Sequence, residues 1–163
     1  MKYRIGRRLK ITTKELSIEK IKKKLIDKIS NNSDILEVFR KREYSKYKDK
    51  YIKEYGDSYI KDNYIFDHHV SDLADYISVE VDENEYSVYG NSKKEIRKSY
   101  KVSILVTLTD TSELDRVSVL LGDMATELYP DRYNYRNYSY IVKNRGFCGE
   151  FTQPERAIVF TIE

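Results

Sequence analysis

The clearest pattern along the chain is an alternation that gives way to a helical period and then returns. Lys101–Thr109 places Val102, Ile104, Val106 and Leu108 on one face, the period-two signature of a half-buried strand. A turn is expected at Asp110–Thr111. From Ser112 to Leu128 the apolar residues Leu114, Val117, Leu121, Met124, Ala125 and Leu128 recur at helical spacing. Ser112 with Asp115 has capping character at the start, and Pro130 stands just past the end, where it cannot continue the helix. Ala157–Ile162 alternates again and nearly reaches the C-terminus. Period-two segments on both sides of a 3.6-period segment predict a sheet with a helix across one face.

The first half of the chain is patterned for helices. Thr12–Glu15 has the Thr-x-x-Glu spacing of a capping box, and Ile18, Ile21, Leu25 and Ile29 follow on one face. Asn31-Asn32 ends that helix, and Asn32 or Ser33 can cap a second segment holding Ile35, Leu36, Val38 and Phe39. Tyr44, Tyr47, Tyr51 and Tyr55 form a stripe if Arg40–Tyr59 is helical, and Gly56 interrupts it. Asn63–Asp75 is expected to be a loop or edge segment around Tyr64-Ile65-Phe66. Tyr76–Val81 alternates as a strand. Asp82–Lys98 is expected to be a charged connection with turn material at Gly90-Asn91-Ser92, within which Tyr86–Tyr89 can lengthen the strand or open a hairpin. Tyr133–Tyr140 is expected to be a polar, aromatic connection. Tyr138–Val142 and Ala157–Ile162 then pair through a turn region with Gly146, Gly149 and Pro154.

This order predicts an α+β fold, an antiparallel sheet of about four strands with helices packed mainly on one face. Residues 1–11, with Arg4, Arg7, Arg8 and Lys10, are too densely charged to bury and form a basic N-terminal arm. Residues 12–163 form a single α+β domain with a tyrosine- and lysine-rich insertion near residues 40–60.

Charge sharpens this picture. The net charge of +3 conceals a split, with 18 Lys/Arg against 8 Asp/Glu in residues 1–55 and 12 against 19 in residues 56–163. Asp57–Glu85 is the most acidic block. A chain so polarised can join head-to-tail with its own copies, dock on acidic surfaces, or neutralise itself internally. The 16 tyrosines without a tryptophan are consistent with AT-rich codon usage, and they also supply contact area at low entropic cost. One cysteine, Cys148, allows no internal disulfide and fits a reducing compartment. No stretch approaches the roughly 20 apolar residues of a membrane span, and the basic N-terminus lacks the apolar run of a signal peptide. A product made in the cytoplasm is expected.

Candidate chemistry is sparse. Asp67-His68-His69 carries metal-ligand types, but the nearby acids are only Asp62, Asp72 and Asp75, and the plainer expectation is a solvated loop. Cys148, in Gly146-Phe147-Cys148-Gly149, has no base beside it in sequence. Six scattered glycines form no phosphate cradle, so no cofactor is expected. Lys20–Lys24 and Arg40–Arg42, with Tyr44 and Tyr47, could grip phosphates non-specifically.

The layout resembles the small neck and tail-completion proteins of tailed bacteriophages, the tail terminator and head–tail joining group. The resemblance runs over Ser17–Ile29 and Ile65–Glu163. It comprises the first amphipathic helix, Ile65-Phe66-Asp67 leading into Tyr76–Val81, the strand Lys101–Thr109, and the helix with Asp115-Arg116 and Met124-Ala125. Arg116, Leu120 and Asp123-Met124 echo an Arg-x-x-x-apolar spacing of that group, while Arg40–Tyr59 departs from it. The resemblance implies a structural virion protein without enzymatic activity, assembled in the host cytoplasm. It would form a homo-oligomeric ring, a hexamer or larger, at the head–tail junction. Its partners would be neighbouring neck, portal or tail proteins, with non-specific DNA contact through the arm and no membrane. The interface residues expected on this basis are Arg4, Arg7, Arg8, Lys10, Tyr44, Tyr47, Tyr51 and Arg116. Two rivals stand beside it: a small phage-encoded protein that inhibits a host protein or nucleic-acid complex, and a metal-dependent hydrolase around Asp67, His68 and His69.

Overall fold

The computed structural model describes residues 16–47, 50–70, 73, 75–91, 93–146 and 149–163. The basic arm with Arg4, Arg7, Arg8 and Lys10, the Thr12–Glu15 capping box and Cys148 lie outside the described residues.

Helix α1 spans Ile18–Ser30 and is capped by Ser17, whose hydroxyl accepts the Lys20 amide at 3.2 Å. It buries Ile21, Leu25 and Ile29. Helix α2, Ser33–Tyr47, is capped by Asn32, whose Oδ1 accepts the Ile35 amide at 3.1 Å. Helix α3, Lys50–Tyr64, breaks at Gly56, which sits at φ +55° and ψ −142° in a region open to glycine. The Phe39 and Tyr64 rings, 4.8 Å apart and stacked, hold α2 and α3 together.

Five strands follow, β1 Ile65–Phe66, β2 Tyr76–Gly90, β3 Lys93–Thr107, β4 Tyr133–Gly146 and β5 Gly149–Ile162, with α4, Thr111–Leu128, between β3 and β4. They form one sheet in the order β1-β2-β3-β5-β4. All neighbours are antiparallel except β1, which runs parallel to β2 through Ile65↔Ile77 and Phe66↔Ser78. The α+β expectation holds. The edge segment at Tyr64-Ile65-Phe66 supplies a fifth, parallel strand and makes the sheet mixed.

Two segments expected to be connections are strands. Residues 82–90 and 93–98 belong to the paired strands β2 and β3, and Tyr133–Tyr140 belongs to β4. Both hairpin arms are wet on two sides, so no apolar alternation marks them. Cross-strand pairing holds them instead, with Lys98 reaching Glu83 at 2.9 Å and Glu85 at 3.7 Å. The α4 cap is likewise two residues earlier than expected. Asp110 Oδ1 accepts the Ser112 amide at 3.0 Å and the Ser112 hydroxyl at 2.7 Å, and those bonds hold the Asp110 carboxyl below its ordinary range.

The core lies on one face of the sheet. Ile77, Val79 and Val81 on β2 stand level with Val106, Ile104 and Val102 on β3, and Ile158, Phe160 and Ile162 continue the layer on β5. Against them pack α1 and, from α4, Leu114, Val117, Leu121 and Ala125. Each buried Val, Leu, Ile or Phe among them contributes about 1.5–3 kcal/mol relative to exposure. Gly122 lets α4 approach β4, because a Cβ there would collide with the Tyr135 hydroxyl.

Asp75, only 7% exposed, ties three elements together. Its Oδ2 accepts from Arg42 Nε of α2 at 2.8 Å, and its Oδ1 accepts from the Thr109 amide at 2.7 Å and the Thr109 hydroxyl at 3.0 Å. The carboxylate thus joins α2, the start of β2 and the turn into α4. Asp75→Ala is expected to cost about 1–3 kcal/mol, because it removes the three hydrogen bonds of a buried carboxylate and leaves the Thr109 amide, the Thr109 hydroxyl and Arg42 without that acceptor. Urea unfolding should show a lower midpoint with an unchanged slope; an unchanged midpoint would remove Asp75 from this role.

Candidate functional site at the uncovered sheet face

All four described helices stack on the apolar face, so the opposite face of the sheet is left to solvent along much of its length. Strand alternation sets what stands there. Glu80 on β2, Ser103 on β3, Val159 on β5 and Arg136 on β4 form one row, and Ser78, Leu105, Ala157 and Tyr138 form the next. The row at Tyr76, Thr107, Glu155 and Tyr140 completes the face toward the β4–β5 hairpin.

The β2 side of this face is closed and polar. Tyr76, Ser78, Thr107, Ala157 and Glu155 are buried, and the Ser78 hydroxyl has no hydrogen-bond partner among the described residues. The Tyr76 phenol donates to Glu155 Oε2 at 3.3 Å. Burial pushes the Tyr76 phenol up to about 12, with the neighbouring Glu155 carboxylate adding to it. Burial likewise raises the Glu155 carboxyl, which the Tyr76 hydrogen bond only partly offsets. Gln153 Nε2 donates to the Leu73 carbonyl at 3.4 Å, closing the chain over this end.

The β4 side is open and aromatic. Tyr133, Tyr138 and Tyr140 stand exposed on this face, while the exposed Tyr135, beside Gly122, and Ile141, opposite Pro154, lie on the helix side of β4. The Tyr138 and Tyr140 rings lie 5.7 Å apart beside half-buried Leu105 and Val159. The Tyr86 and Tyr133 hydroxyls both donate to Glu163 Oε1, at 2.6 and 3.3 Å, bridging the β2–β3 hairpin to β4. Tyrosines with a dry ring and a wet hydroxyl on a strand edge are suited to binding another surface.

Of the interface residues expected from sequence, Arg116 does not stand at this face. Arg116 is exposed on α4 and paired within its own helix to Glu113 at 2.7 Å. Tyr44 and Tyr47 lie on α2 and Tyr51 on α3, with their side chains outside the described ones, and the basic arm is outside altogether. The Asp67-His68-His69 turn is exposed. His68 Nδ1 lies 3.0 Å from Asp67 Oδ1, which draws the Asp67 carboxyl below its usual range, and His69 Nδ1 is 3.9 Å from Glu80. Among the described residues no group of three His, Cys, Asp or Glu side chains converges to hold a metal. No described helix is long and apolar enough to cross a membrane. The β4 aromatics were missed because their tyrosines alternate with Asn, Arg and Ser, so hydropathy is low throughout. The repeated Tyr-x-Tyr, with tyrosine's preference for strands, is the signal that marks them.

Comparison with protein-family models, with curated proteins and with solved structures gives no match.

The Glu155 environment has a consequence for pH dependence. The folded chain holds a proton on Glu155 that the unfolded chain releases at the ordinary carboxylate pKa. Between the ordinary and the raised value, rising pH therefore favours unfolding. Glu155→Gln should flatten that part of the stability–pH profile and leave the protein more stable above it, measured by thermal denaturation across pH. A profile identical to the unsubstituted protein would contradict the buried-carboxyl reading.

Proposed function

We propose that this chain is a structural subunit that closes into a ring with its own copies and serves at the head–tail junction of a tailed phage. The observation that carries the self-assembly part is the pair of open strand edges on opposite sides of one sheet. β4 is the last strand on one side. On the other, β1 covers β2 only at Ile77 and Ser78, leaving Val79–Gly90 without a neighbouring strand among the described residues. Long, regular edges invite pairing with another chain. Edges on opposite sides favour a head-to-tail contact, which generates a ring where the rotation closes.

The exposed aromatics of β4 and the exposed Tyr89 and Ile96 of the β2–β3 hairpin support the same reading, since they leave apolar surface for neighbours at both ends of the sheet. The assignment to a phage neck rests on the resemblance of layout, with the strand–helix–hairpin order of residues 101–162 as its support. Arg116 is retained in this reading as a contact residue on the outer surface of α4. The basic arm and the tyrosine stripe are retained as the contacts to neighbouring neck proteins or DNA.

Light scattering on the purified protein at two salt concentrations tests the reading. A discrete oligomer of constant mass over a wide concentration range is expected, loosening as salt rises because charge contributes to the contact. A particle of 19.4 kDa under every condition would contradict it and favour the small host-directed binding protein.

A further inference from the structure

The two open edges carry opposite charge. From Val79 to Gly90 the β2 sequence holds Glu80, Asp82, Glu83 and Glu85 and no basic residue. From Arg136 to Gly146 the β4 sequence holds Arg136, Lys143 and Arg145 and no acidic one. On β3 behind it, Lys98 pairs with Glu83 and Glu85, Lys101 stands opposite Asp82, and Lys93, Lys94 and Arg97 lie opposite Gly90, Tyr89 and Tyr86, so the acidic charge belongs to the outermost strand itself.

We propose that a second copy of this chain adds its β2 edge to the β4 edge of the first, continuing the sheet antiparallel from subunit to subunit. The inference deepens the ring reading and rests on it. Direction permits the pairing, because β2, β3, β5 and β4 alternate, so β2 and β4 point oppositely. A copy carried over without being turned end for end therefore meets β4 antiparallel. The helices of both copies then stay on one side, and the tyrosine-bearing face on the other.

Charge selects this arrangement over its competitors. A two-fold contact of β2 on β2 would bring four carboxylates against four, and β4 on β4 would set basic residues against basic ones. Only the mixed contact is attractive, so specificity arises from repulsion in the alternatives as much as from attraction. The edges are also delimited. β1 stops pairing at Ser78, and a bulge between Tyr133 and Arg136, with Asn134 at φ +54°, ends the regular part of β4. What remains begins at the same level on both sides, since Val79, Ile104, Ile158 and Asn137 share one row, and runs to opposite ends of the sheet. Bringing the free lengths together steps the second copy along the strands by about 30 Å. Stagger of this kind, with inclined strands, is how a sheet closes on itself.

A charge exchange tests the proposal. One variant carries Glu80→Lys, Asp82→Lys, Glu83→Lys and Glu85→Lys, the other Arg136→Glu and Lys143→Glu; Asp82, Glu83, Glu85, Arg136 and Lys143 are solvent-exposed and Glu80 partly so. Circular dichroism confirms that each folds, and light scattering reads the mass. Each variant alone should fall to the 19.4 kDa monomer, because its two edges then carry one sign. Mixing the two in equal amounts should restore the original mass, because each supplies the edge that the other lacks. If both variants alone keep the unsubstituted oligomer, or if mixing restores nothing, the β2–β4 contact is wrong while the ring reading survives. If the unsubstituted protein is itself a monomer, the ring reading fails first.

Discussion

Burial of one sheet face under α1 and α4 is the interaction on which the other features depend. Nine apolar residues from β2, β3 and β5 form one layer, with Val79, Ile104 and Ile158 in one row, Val81, Val102 and Phe160 in the next, and Ile77 with Val106 and Ile162 at the two ends; the helices contribute the facing half of the core. The reach of that cover is limited. The 18 residues of α4 extend about 27 Å, whereas the 15 residues of β2 or β3 extend about 50 Å. Strands that outrun their helices must leave hairpin arms beyond the core, one formed by β2–β3 and one by β4–β5. The arms leave the core at opposite ends. An isolated two-stranded arm is marginally stable, so contact with a neighbouring chain would strengthen both.

Polar tethers set the remaining geometry. Asp75 connects the helical third of the chain to the sheet, and Lys28 reaches Glu127 of α4 at 2.9 Å. Arg40 also pairs with Asp57. The basic first third and the acidic remainder thus meet within the fold at several points, which accounts for part of the charge split. The part left over lies on the strand edges, where β2 is acidic and β4 basic. Exposed pairs such as Arg40–Asp57 contribute little to stability, and the edge charges matter more for which surfaces can meet.

The core was legible in the sequence wherever burial imposes a period. Ile21, Leu25 and Ile29, the strand around Val102–Val106, the α4 stripe and Ala157–Ile162 all announce themselves by spacing, and each is buried as expected. Gly56 marked a real interruption. The extensions of β2, β3 and β4 were not legible, because residues wet on both faces carry no hydropathy signal, and Lys98 with Glu83 and Glu85 looks like a loop when written in a line. The α4 cap shifted for a related reason: Asp110 competes with nearby Ser112, and only the backbone geometry decides between them. The uncovered face was hidden as well, since the tyrosines of β4 alternate with polar residues and Glu155 gives no hint in sequence that it will be buried beside Tyr76.

Together these features describe a molecule whose helical side is finished and whose sheet side is not. The polar, closed patch at Tyr76 and Glu155 is inward-facing and stabilises one end of the sheet, while the aromatic edge and the two hairpin arms face outward. Electron micrographs of the purified protein test the central claim, that these unfinished edges join copies into a closed assembly, most directly. Annular particles of uniform diameter are predicted; a field of isolated single subunits, or open filaments alone, would contradict it.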